Sequence, residues 1–455
     1  MFKKLTNACV KLVNKYLPDP FIFAIILTIV TFIGGMGLTK QTPIAMARHW
    51  GGGFWSLLAF SMQMALVLVL GNAMAQAPVF KRLFESIALS VKTPGRAIVV
   101  TGLIATIACW LNWGFGLVVG ALLAKEIAKK VKGVDYRLLI ATAYSGMLVW
   151  HGGVSGSIPL TMAGTSGEAL AAQTAGAVTA SVPTSLTIFS NFNLTISALL
   201  LVLIPITALA MMPSKEETVV VDPALIVDVE AKKIEINTPA DKLENSRILW
   251  IIILALGLGF LVWHFATKGP ALDLNIVNMI FLFVGLLLHG NIRRYIDAIM
   301  DAAKSAGGIL LQFPFYAGIM GMMTGGHAVT GLSLAGVISN AFVSIATATT
   351  FPLFSFLSAG IVNFFVPSGG GQWAVQAPIM MPAGAALKVP EAVTAMSIAW
   401  GDAWTNMIQP FWALPALGIA GLSAKDIMGF CLMMLIMSGI VICGVFFLFP
   451  MLGLI

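Results

Sequence analysis

"LVWHGGVSGSIPL", residues 148–160, decides how this chain is read. It sits in a strongly apolar chain, in which 58% of the 455 residues are hydrophobic and only 10% are charged. A regular membrane helix would pass through such a place without Gly152, Gly153, Gly156 and Pro159, and without the ionisable ring of His151. Irregular backbone at membrane depth is tolerated where it is buried in protein or lines a cavity. The stretch therefore predicts a broken span with a binding site at its break.

Outward from it, long apolar segments recur along the chain, such as 21–38 and 247–266, and the mean hydropathy is +0.94. Runs of about 18 or more apolar residues are long enough to cross a bilayer as helices. They are too long for the short alternating strands of a β-barrel. The chain reads as an all-α polytopic membrane protein. Its first apolar run is too long for a signal peptide and lacks a small-residue cleavage site, so it reads as a retained span. Residues 1–16 put Leu5, Cys9, Leu12 and Tyr16 on one face, which predicts a short helix on the membrane surface. The four cysteines have no metal or redox spacing and read as packing residues. The net charge of +7 does not point to nucleic acid, because the basic residues sit in loops, where they set orientation.

Charge also exposes the architecture. Lys81, Arg82, Lys92 and Arg96 precede the apolar segment 97–124, and Lys125, Lys129, Lys130, Lys132 and Arg137 follow it. Both ends on one side make that segment a re-entrant helical hairpin, turning at "CWLNWGFG" (109–116). A second hairpin is predicted over 352–384, turning at "VNFFVPSGGGQW" (362–373). Each is followed by a broken span, "SGMLVWHGGVSGSIP" (145–159) and "WGDAWTNMIQPFWALP" (400–415). Asp19 and Asp273, Asn112 and Asn363, Gly146 and Gly401, and Pro159 and Pro415 pair at separations of 251 to 256 residues. The chain thus divides into a first repeat over 1–212, a charged cytoplasmic linker over 213–246, and a linking span with an inverted second repeat over 247–455.

Nine crossings are predicted, at 21–38, 55–76, 138–160, 184–212, 248–267, 274–290, 306–326, 391–416 and 426–452. Stretches 78–93 and 330–348 read as arms leading to the hairpins. This threading puts 22 of the 26 Lys and Arg residues inside and only Lys40, Arg48, Lys268 and Lys388 outside. The N-terminus is then cytoplasmic and the C-terminus periplasmic.

Inverted repeats with hairpins and broken helices are the construction of a secondary active transporter, with its site near the midplane. Half-helix N-termini attract an anion and freed carbonyls hold a cation. The residues at the breaks are the binding candidates: Trp150, His151, Gly152, Gly153, Ser155 and Ser157 in the first; Ser368, Gly369, Gly370 and Gly371 in the second hairpin; Thr405 and Asn406 in the second break. His151 and Asp402 are the two ionisable side chains well inside the membrane, and Asp402 is the coupling candidate, as a proton carrier or as an oxygen ligand for sodium. No Lys or Arg lies among them. A dicarboxylate or phosphate would call for a fixed cation, whereas one carboxylate can be held by helix N-termini and hydroxyls. Trp110, Trp113, Trp150, Trp373, Trp400 and Trp404 cluster at the breaks and would enclose a small apolar body. The inferred solute is a small monocarboxylate, with no cofactor. Two rivals stay open at this level. A passive channel would equilibrate the same solute, and Gly153-Val154-Ser155-Gly156 fits the G-x-S-G of a serine protease, with His151 as base.

The segments "CWLNWGFGLVVGALLAKEIAKK", "YSGMLVWHGGVSGSIPLTMAG", "NFFVPSGGGQWAVQAPIMMPAG" and "WGDAWTNMIQPFWALPALG" resemble the bacterial short-chain fatty acid transporters, associated with acetoacetate and butyrate use. The resemblance covers nearly the whole chain. It implies a non-enzymatic permease of the bacterial inner membrane. More distantly, the layout is similar to divalent-anion/sodium symporters and aminobenzoyl-glutamate transporters. That likeness implies a homodimeric elevator coupled to H+ or Na+. It also implies sodium at the hairpin tips, where Asn112 and Asn363 match, with Ser368 nearby.

Overall fold

A computed structural model describes residues 20–222, 237–363, 366 and 368–454. The surface helix expected over 1–16 lies outside the described residues, as does 223–236 of the linker. The described residues form helices joined by loops and turns, with no strand among them.

The first half runs α1 (Pro20–Thr39), α2 (Pro43–Gly53), α3 (Leu58–Ala75), α4 (Pro78–Ser90), α5 (Pro94–Leu111), α6 (Trp113–Lys130), α7 (Tyr136–Ser145), α8 (Ser157–Gly164), α9 (Gly167–Gln173) and α10 (Asn191–Ala210). The second half runs α11 (Pro239–Glu244), α12 (Arg247–Lys268), α13 (Leu274–His289), α14 (Ile292–Ala303), α15 (Gly307–Thr324), α16 (Leu334–Ile345), α17 (Phe351–Asn363), α18 (Gly369–Ala386), α19 (Glu391–Thr405), α20 (Pro410–Ala420) and α21 (Ala424–Met451). Five helical runs are long and apolar enough to cross a bilayer: Leu58–Ala75, Pro94–Leu111, Asn191–Ala210, Pro239–Lys268 and Ala424–Met451, with α14 and α15 together a sixth if they are one bent span. Two of the nine expected crossings are cut into shorter pieces. A 3-10 turn over Gly146–Gly152 separates α7 from α8, and another over Asn406–Ile408 separates α19 from α20. The span expected over 184–212 becomes a helix only at Asn191, where Ser190 accepts from Asn193 N–H and starts it.

Each segment expected to be a hairpin forms a pair of antiparallel helices. A Cβ on Gly116 would collide with Cys109, and one on Gly120 would lie 3.1 Å from Ala105 Cβ. Four residues forward on α6 are thus four residues back on α5, so the pair is antiparallel and turns at Asn112. In α17 and α18, Gln372 Nε2 donates to Ala359 O at 2.9 Å and Gln376 Nε2 to Ser358 Oγ at 3.1 Å. A Cβ on Gly384 would lie 3.2 Å from the Phe351 ring, so this pair is antiparallel as well.

Burial separates two kinds of helix. Trp113 to Ala121 of α6 are buried without interruption, as expected of a helix apolar all round and enclosed by protein. Helix α12 buries only Leu254, Gly257 and Leu261 among its 22 residues. Its remaining apolar surface suits lipid. The two broken spans pair antiparallel, since Tyr136 OH donates to Ala420 O at 3.0 Å and Tyr144 OH to Asn406 O at 2.6 Å.

Candidate substrate and coupling site

The unwound stretch between α7 and α8 lies between the two hairpin tips. On one side it meets the first tip: Val154 N–H donates to Trp110 O at 2.8 Å, and Trp113 N–H donates to Ser155 Oγ at 3.1 Å. Gly153 is obligatory here, because a Cβ would strike the Trp110 carbonyl. On the other side it meets the second tip. A Cβ on Gly369 would strike Ser157 Oγ and lie 2.6 Å from His151 Cε1 and 2.8 Å from Trp150 Cη2.

His151 and Asp402 are both fully buried, and His151 Nδ1 lies 2.8 Å from Asp402 Oδ2. The ring's proton can be placed. Ile158 N–H points at His151 Nε2 from 3.1 Å, and a backbone amide can only donate. Nε2 therefore carries the lone pair, and Nδ1–H donates to the carboxylate. The other carboxylate oxygen, Oδ1, accepts from Asn363 Nδ2. Asn363 Oδ1 in turn lies 2.9 Å from Thr405 Oγ1, which is also 2.9 Å from Gly360 O. The network joins the first break, the second hairpin and the second broken span. It contains one carboxylate and no Lys or Arg.

The candidate residues are not all in this network. Gly370 packs against Phe60 and Phe313, and Gly371 against Tyr316 and Val366, so both serve close packing. Ser368 is the cap of α18, accepting from Gly371 N–H. Asn112 caps α6, its Oδ1 accepting from Phe115 N–H at 2.9 Å. The two tip asparagines thus differ: Asn112 closes a helix, whereas Asn363 turns to Asp402. Gly152 lies against Trp400, and its carbonyl accepts from Asn193 at 2.8 Å. Asn406 is buried, and neither its Oδ1 nor its Nδ2 has a hydrogen-bond partner.

Two residues unremarked in the sequence help hold the site. Asn193 donates to Gly152 O and to Ile188 O, and accepts from Trp400 Nε1 at 2.9 Å, so one amide ties α10 to both broken spans. Its signal was a polar side chain at the start of an apolar run, which reads as an ordinary helix start. Tyr144 supplies a second donor to the Asn406 carbonyl, which also accepts from Gln409 N–H at 3.2 Å.

The G-x-S-G reading fails on this geometry. Ser155 faces the Trp113 amide, and the serine at His151 Nε2 is Ser157, at 3.0 Å. Asp402, His151 and Ser157 line up as a hydrolytic triad would, but Ile158 N–H occupies the lone pair a base would use.

Hairpins and broken helices around a buried polar pair define a membrane transporter, and a solved transporter shares this fold. The YdaH transporter of Alcanivorax borkumensis matches over 95% of this chain and 98% of its own, with a TM-score of 0.54 at 15% sequence identity. The particular family is set by sequence: residues 1–449 match the family described as "Short chain fatty acid transporter". The chain belongs to that family and is a multi-pass membrane transporter, not an enzyme. It is 46% identical over 98% of its length to a Haemophilus influenzae protein, covering all of that relative. It is 44% identical over 97% of its length to an Escherichia coli K12 protein, covering 98% of it. Both relatives carry the name "Putative short-chain fatty acid transporter".

Proposed function

We propose that this protein takes up small monocarboxylates, of the butyrate and acetoacetate kind, by symport with a cation. The observation that carries the reading is the His151–Asp402 hydrogen bond across the two breaks. With Nε2 held by Ile158 N–H, the ring is a neutral donor, and the buried carboxylate has no cationic partner in its network. A buried charge without a counter-ion is expensive in a membrane. A substrate carboxylate brought into the same dry site adds a second negative charge, and like charges there cost several kcal/mol. A proton on Asp402, or a sodium ion beside it, removes that conflict. Anion binding and cation binding then favour each other, and the coupling is reciprocal.

The oxygens of Asp402, Asn363, Thr405 and Gly360 suit a hard cation. Asn112 suits it less, because its oxygen is engaged as a helix cap. The cation therefore belongs on the second-hairpin side. In this reading both hairpins and both broken spans move as one elevator body against the remaining helices. The protein works as a homodimer in the bacterial inner membrane, with its N-terminus cytoplasmic and its C-terminus periplasmic.

The test is uptake of radiolabelled butyrate into proteoliposomes, with proton and sodium gradients imposed separately. Accumulation above the outside concentration under one of the two gradients is expected. Equilibration alone, indifferent to both gradients, would identify a channel.

A further inference from the structure

Five donor nitrogens at or near the first hairpin tip are buried and have no hydrogen-bond partner: Trp110 Nε1, Asn112 Nδ2, Trp113 Nε1, Trp150 Nε1 and Asn406 Nδ2. The residues of the last four are at most 1% exposed. Such groups are rare, because each has given up water without replacement. These four lie on elements that pack together. Trp113 and Trp150 meet edge to face, with ring centroids 5.8 Å apart. Asn112 is the neighbour of Trp113, and its own oxygen is engaged in the α6 cap. Asn406 opens the second break, which packs on the first. On its other side Trp113 meets Trp412 at 5.0 Å. Trp412 also lines a cavity of about 580 Å³, together with Asn72, Gln76 and Asp301.

These four donor nitrogens outnumber the one free acceptor on the same residues, Asn406 Oδ1. The ligand that answers them is small and rich in acceptors. A carboxylate, with two oxygens and about four lone-pair sites, matches four N–H groups. Charge-assisted bonds from neutral donors hold an anion without a fixed cation. The indole faces supply an apolar wall for a short alkyl chain.

We infer that Asn112, Trp113, Trp150 and Asn406 form the carboxylate subsite of this transporter, reached from the cavity past Trp412. The inference rests on the monocarboxylate reading above and adds where the anion sits: on uncharged donors at the first hairpin tip. The coupling cation belongs across the site, at Asp402.

An orphaned donor destabilises the empty protein and serves only the filled one. Its removal should therefore raise stability without ligand while weakening binding, a combination that a structural role would not produce. The experiment uses the purified full-length protein, with butyrate as probe and butyramide as its uncharged counterpart. Thermal unfolding and butyrate affinity are measured for the wild type, Trp113→Phe and Asn406→Leu. Butyrate, and not butyramide, should raise the wild-type Tm. Asn406→Leu should melt at or above the wild type when empty, and both variants should bind butyrate at least ten-fold more weakly. Butyrate affinity within two-fold of wild type in both variants would overturn the subsite alone, as would melting of empty Asn406→Leu below the wild type. No butyrate binding by the wild type would overturn the subsite and the monocarboxylate reading together.

Discussion

Tyr144 and Asn406 stand where two broken helices end, and the Tyr144 hydroxyl donates to the Asn406 carbonyl at 2.6 Å. Tyr144 stands one residue before α7 ends, and Asn406 stands where α19 gives way to a 3-10 turn. Breaking a helix frees carbonyls that still need a donor. Asn406 O takes one donor from its own break, Gln409 N–H at 3.2 Å, and its shorter one from the other broken span. Tyr144→Phe removes the donor and keeps the ring. The loss should be about 1–2 kcal/mol of stability, read as a lower Tm of the purified protein, with slower uptake.

The proposed coupling role rests on Asp402, the carboxylate between His151 and Asn363. Asp402→Asn keeps the shape and removes the charge. Accumulation of butyrate in proteoliposomes should vanish, while exchange of internal for external butyrate should survive. Full concentrative uptake by the variant would reduce Asp402 to a structural residue.

Close approach of backbones can be tested with two glycines. A Cβ at Gly153 meets the Trp110 carbonyl, whereas one at Gly259 meets nothing within 4 Å. Gly153→Ala should cost about 3 kcal/mol through overpacking and abolish uptake. Gly259→Ala, in the middle of α12, should be tolerated or add about 1 kcal/mol through helix propensity. Yield and Tm of the two variants should move in opposite directions.

The proposed orientation rests on the distribution of Lys and Arg. Glu216, at the start of the linker, is exposed. A Glu216→Cys variant should resist an impermeant maleimide in intact cells and react after the membrane is opened. Labelling from outside would reverse the topology.

Much of the fold was legible because chain breaks are local events. Gly152, Gly153, Gly156 and Pro159 disfavour a helix by their own backbone preferences, whatever surrounds them. Runs of apolar residues and flanking lysines likewise act within a few turns. Hence the hairpins and both broken spans could be read before any contact was known. His151 and Asp402 were legible too, because a titratable group in an apolar run is costly and conspicuous.

What the sequence determined by itself was the class of protein, the position of its breaks and the residue types gathered there. Which atoms meet was decided by tertiary structure. His151 and Asp402 are 251 positions apart, and nothing local says that Nδ1 faces the carboxylate or that Ile158 takes Nε2. The Ser155 and Ser157 hydroxyls are indistinguishable in the sequence, yet one meets the Trp113 amide and the other the histidine. Asn193 resembled a helix start until α10 packed against both breaks. Propensity acts along the chain, but a buried polar atom takes whichever partner the packing brings within about 3 Å, and that choice belongs to the whole assembly of helices.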